Sequence, residues 1–142
     1  MTVVSSPIMY GPVVDHVGIV VADLDAAVRR YSSLLAGTPV AFEDDEPLDC
    51  RWAHVQLPGS IPIELLAPRS ERSPYHRHLQ RRGEGLHHVS FRVTDLAAEP
   101  DRLRGEGVDV LGFSLDHSGW QELFVHPRHA HGVLLHFGVP PA

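Results

Sequence analysis

The chain has 142 residues, 18 acidic and 12 basic, for a formal net charge of −6 with histidine neutral. That length holds one domain or two very small ones, the negative balance excludes the basic face a nucleic-acid binder needs, and no run approaches the roughly 18 apolar residues of a membrane span. All twelve basic residues are arginine, which excludes a lysine base or Schiff base, and the single cysteine, Cys50, excludes an intrachain disulfide and fits a reducing cytoplasm.

In chain order, residues 1–12 form a tail without the basic start and apolar stretch of a signal peptide, so no leader is expected. Residues 13–21 alternate, with Val17, Ile19 and Val21 on one face and His16, Gly18 and Val20 on the other, which predicts a strand. Asp23 caps a helix over 24–35 whose inner face carries Leu24, Ala27, Val28, Tyr31 and Leu35, with Gly37 past its end. Strands are expected over 40–43, 49–57 and 61–66, the last two joined by a turn at Pro58, Gly59 and Ser60. A polar connector over 69–85 holds a short helix at 74–82. The second half gives a strand at 86–93 and a helix ending near 105–107. Pro100 fits only a first turn, so that helix starts late or kinks. Strands follow at 108–113, 120–125 and 133–137.

The two halves repeat. Residues 14–25 match residues 86–97, pairing His16 with His88, Val17 with Val89, Val21 with Val93, Asp23 with Asp95 and Leu24 with Leu96, at an offset of 88 − 16 = 72. The same offset lays 61–65 on 133–137 and Pro68 on Pro140. The fold expected is therefore α+β: two tandem βαβββ modules, 13–68 and 86–142, in one compact domain. Neither half can bury its own sheet, so the modules are expected to form a curved, partly open mixed sheet. The repeat also pairs good ligands for a divalent transition metal, His16 with His88 and Glu64 with His136. Ionisable groups set among apolar strand neighbours need a partner, and a shared metal would supply one.

Residues 67–74 and 78–93, with the His87-His88 pair, resemble the middle of methylmalonyl-CoA epimerases, a branch of the vicinal oxygen chelate (glyoxalase, bleomycin-resistance and dioxygenase) superfamily. Residues 15–24 resemble their first strand and helix start, and residues 124–136 their last two strands. The resemblance implies paired βαβββ modules around a divalent ion (cobalt, zinc, nickel, manganese or iron), with no organic cofactor. It matches the ligands to His16, Glu64, His88 and His136, and turns His87 to the other face. It implies an epimerase or isomerase that removes a proton next to a carbonyl, on an acyl-CoA or on another 2-acyl or keto substrate. A homodimer is expected, with a small-molecule substrate and neither nucleic acid nor membrane as partner.

Two departures matter. The family's last ligand is normally glutamate, where this chain has His136. Three imidazoles and one carboxylate leave the metal site at +1 rather than 0, a stronger Lewis acid with one basic oxygen fewer. The family's catalytic carboxylate falls before the third strand, where residues 43–49 match only loosely and offer Glu46 or Asp49. Glu122 is a further candidate proton carrier, and His117 a candidate substrate contact. Arg69, Arg72, Arg77, Arg81 and Arg82 in the connector suit the phosphates of CoA or a solvated surface. Two alternatives stand beside the epimerase: a non-haem Fe(II) dioxygenase using two histidines and a carboxylate, and a metal-free protein that binds a small molecule such as an antibiotic.

Overall fold

The structure, a computed structural model, describes residues 11–142; the tail expected over 1–12 falls outside it apart from Gly11 and Pro12. The element order is β1 (Val13–Val20), α1 (Leu24–Leu35), β2 (Thr38–Asp45), β3 (Cys50–Gln56), β4 (Pro62–Pro68), α2 (Pro74–Arg82), β5 (Gly85–Arg92), α3 (Glu99–Gly105), β6 (Leu111–His117), β7 (Trp120–Val125) and β8 (Leu134–Val139). This is the α+β class expected, with a strand–helix–three-strand order met twice. The described chain divides into two compact units, one of His16–His88 and one of Val89–Ala142 together with residues 11–15. No helix among the described residues is long and apolar enough to cross a membrane.

In the His16–His88 unit the strands run β2-β3-β4-β1. β2, β3 and β4 are antiparallel neighbours, and β1 lies parallel to β4 with Gly18 opposite Glu64 and Val20 opposite Leu66. The predicted alternation of β1 sets its two faces against two cores. Val21 packs with Leu24 and Val28 of α1 and with Ala53, Val55, Leu65 and Ala67. Val20 instead joins Cys50, Leu66 and Tyr75 of α2. α1 keeps its predicted bounds because Asp23 accepts a hydrogen bond from the Ala26 N–H at 3.0 Å. Its last turn differs from expectation. Ala36, not Gly37, is left-handed (φ 50°), and Leu35, expected inside, is 42% exposed. Gly37 serves close packing instead, since a Cβ there would lie 2.5 Å from Val55 Cγ1. α2 also keeps its predicted bounds, with Ser73 capping it and Pro74 in its first turn.

The other unit orders its strands β5-β8-β7-β6, over a core of Val93, Leu96, Leu103, Leu123, Val125 and Phe137. Pro100 acts as expected: Leu96–Ala98 make a 3₁₀ turn, and α3 starts only at Glu99 with the proline in its first turn. The strand expected at 108–113 is displaced to Leu111–His117. The Gly107 and Val108 N–H groups return to Arg104 and Leu103 carbonyls, closing the helix end and leaving those residues no ladder. The hairpin that follows turns on Ser118 and Gly119, with φ of 53° and 88°, and pairs His117 with Trp120.

Cys50 is fully buried, and burial first, then the nearby Asp45, Glu64 and Asp49 carboxylates, pushes its thiol up to about 12. A thiol reagent at pH 8 is therefore expected to leave the native protein unmodified over hours and to react within minutes in denaturant. Rapid modification of the folded protein would contradict this placement.

Candidate metal centre

Three of the sequence-derived ligands meet in the His16–His88 unit. β1 carries His16, β4 carries Glu64, and the start of β5 carries His88. Both histidines are almost fully buried, and the Glu64 side chain is 13% exposed. The His16 and His88 Nε2 atoms stand 3.4 Å apart. His16 Nε2 lies 3.5 Å from Glu64 Oε2, and His88 Nε2 lies 3.5 Å from Glu64 Oε1. Four ligands about 2.1 Å from a tetrahedral zinc-type ion stand roughly 3.4 Å from one another. The spacing is thus that of a ligand set, and the three residues form a group able to hold a metal ion.

Burial alone would raise the Glu64 carboxyl, but hydrogen bonds from His16, His54 and His88, and the charge of His16, outweigh it and hold the group well below the usual carboxylate range. Glu64 is therefore ionised and ready to ligate. His88 has its second nitrogen supported: its Nδ1 lies 2.9 Å from His87 Nδ1. Burial, then the neighbouring His88 and His78, pushes His87 down to about 3, so its ring is neutral and can accept that proton. His87, expected to turn wholly away, does pack edge-on against Tyr75 and His78 of α2, yet keeps this contact with its neighbour.

Gly18 makes room for the cluster. A Cβ there would lie 2.2 Å from His88 Cε1 and 2.6 Å from both ring nitrogens. Alternation puts Gly18 on the same face of β1 as His16, which gave it a face in the sequence but no reason to be glycine.

The remaining candidates lie elsewhere. His136 belongs to the other unit, buried on β8, with Nδ1 2.7 Å from Ser90 Oγ and Nε2 2.9 Å from Glu122 Oε2. A carboxylate only accepts, so Nε2 carries the proton and Nδ1 receives the Ser90 hydroxyl. Glu122 on β7 also stands 3.3 Å from His117 Nδ1, so two imidazoles flank one carboxylate. Glu46 is 77% exposed and pairs with Arg69 at 2.6 Å. Asp49 accepts from Ser70 Oγ. Two residues beside these groups were missed in the sequence. Ser90 shares a strand face with His88, and His54 on β3 sits directly opposite Glu64. The period of two held the signal for both, but without strand register it could not name the partner.

Two buried histidines and a carboxylate at ligand spacing, carried by strands of this unit, form a group that could hold a metal ion. The sequence profile of the glyoxalase/bleomycin resistance protein/dioxygenase superfamily matches residues 15–124, and the chain belongs to that superfamily. Among its relatives, the ethylmalonyl-CoA/methylmalonyl-CoA epimerase of Cereibacter sphaeroides is 34% identical over 125 residues, covering 85% of this chain and 92% of the relative. The crystal structure of the methylmalonyl-CoA epimerase from Mycobacterium tuberculosis is similar with a TM-score of 0.81 at 37% identity, covering 91% of this chain and 87% of that one. A Streptomyces coelicolor methylmalonyl-CoA epimerase in complex with 2-nitronate-propionyl-CoA gives 0.82 at 31%, covering 91% and 97%.

The Gly18→Ala variant is expected to stay folded but push the His88 ring out of place, weakening divalent-metal affinity by about tenfold or more. Titration of the metal-free protein checks this, and wild-type affinity in the variant would contradict it.

Proposed function

We propose that the protein is a metal-dependent epimerase that removes and returns the proton next to an acyl-CoA carbonyl, with a methylmalonyl-CoA-like thioester as substrate. The observation that carries this reading is the buried His16–Glu64–His88 group at ligand spacing, in a chain whose similar proteins are epimerases of such thioesters. A divalent cation of the cobalt, zinc, nickel, manganese or iron series suits these donors, and when bound it would stabilise negative charge developing on a carbonyl oxygen.

The chain's own residues do the rest. With an ion bound, His16 and His88 would ligate through Nε2 in place of their hydrogen bonds to Glu64, and Glu64 would supply the one negative charge. The resemblance makes His136 a further ligand, a role that would require its Nε2 to exchange Glu122 for the ion. For the proton we favour Glu122 over Glu46, because its carboxylate is sheltered and lies between His117 and His136, while Glu46 faces solvent beside Arg69. His117, whose Nδ1 lies 3.3 Å from that carboxylate, is the residue we assign to substrate contact. A homodimer is the assembly expected. A second reading draws on the same two histidines and one carboxylate, which are the ligand types of non-haem iron oxygenases; oxygen uptake restricted to the iron-loaded protein would favour it.

The test is deuterium exchange at C2 of methylmalonyl-CoA, followed by NMR with the metal-loaded protein. Exchange is expected, slowed about 10²–10⁴-fold by Glu122→Gln and little changed by Glu46→Gln. Loss of exchange in Glu46→Gln alone would reverse the assignment of the proton carrier. No exchange with metal bound would reject this substrate class.

A further inference from the structure

His54 stands at the edge of the cluster without being one of its ligands. Its Nε2 lies 2.9 Å from Glu64 Oε2, shorter than the 3.4–3.5 Å that separates the three ligand groups. A carboxylate can only accept, so His54 carries its proton on Nε2 and donates it. An Nε2 in that state has no lone pair for a metal. The distance and the tautomer both assign His54 outside the ligand set.

The position is built into the sheet. β3 and β4 are antiparallel neighbours, and their register sets His54 directly opposite Glu64, where facing side chains make their closest contact. The other unit has a corresponding antiparallel pair of strands, β7 and β8, and there Phe124 is opposite His136, their rings packed at 4.9 Å. The carboxylate has a hydrogen-bond donor opposite it, whereas the imidazole has an apolar ring. His54 is itself held by Trp52, whose ring lies 4.9 Å away, and by the His16 ring at 5.4 Å. Its side chain is only 20% exposed.

We propose that His54 is a positioning residue of the metal centre, fixing the Glu64 carboxylate by a hydrogen bond to one oxygen so that the other is presented to the ion. This rests on the metal-centre reading above. A carboxylate free to rotate in a buried cluster samples orientations that do not ligate, and removing an outer hydrogen bond of this kind typically weakens metal affinity by about 10–100-fold. A glutamine amide at residue 54 can place a donor nitrogen where Nε2 stands, while alanine cannot.

Dissociation constants for cobalt(II) or zinc(II) would be measured by competition with a chromophoric chelator in wild type, His54→Ala and His54→Gln, beside thermal melting of each metal-free protein. The role predicts about 10–100-fold weaker binding in His54→Ala and recovery of most of that loss in His54→Gln. Wild-type affinity in His54→Ala would overturn it. So would an equal loss in both variants, or a loss that merely tracks lowered melting of the metal-free protein. Failure of the wild type itself to bind metal would overturn the metal centre and this role together, which separates the two failures.

Discussion

Glu64 keeps an ionised carboxylate out of water, and the strand placements around it answer that demand. An isolated buried carboxylate costs several kcal/mol or becomes protonated. Here His16, His54 and His88 surround it, and their hydrogen bonds outweigh the desolvation. Each imidazole comes from a different strand, β1, β3 and β5, so the arrangement depends on strand registers: His54 opposite Glu64 across β3 and β4, and Gly18 opposite Glu64 across β1 and β4. A slip of one residue would turn the histidines to the opposite face and leave the charge unpaired. Because the folded-state carboxyl lies below its unfolded value, ionised Glu64 stabilises the fold at neutral pH, and that contribution fades only as acid protonates the group.

The same cluster relates local chemistry to the family. Two imidazoles and one carboxylate form a water-poor donor set of the types that suit a divalent transition ion. His87 and His54 supply opposite kinds of contact: the first can accept a hydrogen bond from His88, and the second donates one to the Glu64 carboxylate. His136, where the epimerase pattern has a glutamate, is paired with Glu122 and Ser90 in the other unit. The chain thus retains a carboxylate in contact with that position, carried by β7 rather than β8.

Much of this was legible without coordinates, for identifiable reasons. The 72-residue repeat announced paired units, and Asp23 marked the start of α1 at its observed residue because capping is local chemistry. His16, Glu64 and His88, which the structure brings together, stood out because period-two alternation and the repeat both single them out. What failed was set by hydrogen bonds and pairings that the residue pattern alone does not encode. Val108–Val110 have strand propensity, but the end of α3 claims the Val108 amide. Leu35 looked interior by periodicity, yet it is exposed and the core takes Leu24, Ala27, Val28 and Tyr31 from α1. His54 sits in an alternating strand like any half-buried residue. Only the β3–β4 register reveals that it faces Glu64.

The most direct test of the account is elemental analysis of protein purified without a histidine tag or added metal, beside the His16→Ala, His88→Ala double variant. The account predicts about one divalent ion per chain in the wild type and none in the double variant. A wild-type protein that stays metal-free even after reconstitution with cobalt, zinc, nickel or iron would contradict it and leave the imidazole–carboxylate cluster as a purely structural hydrogen-bond network.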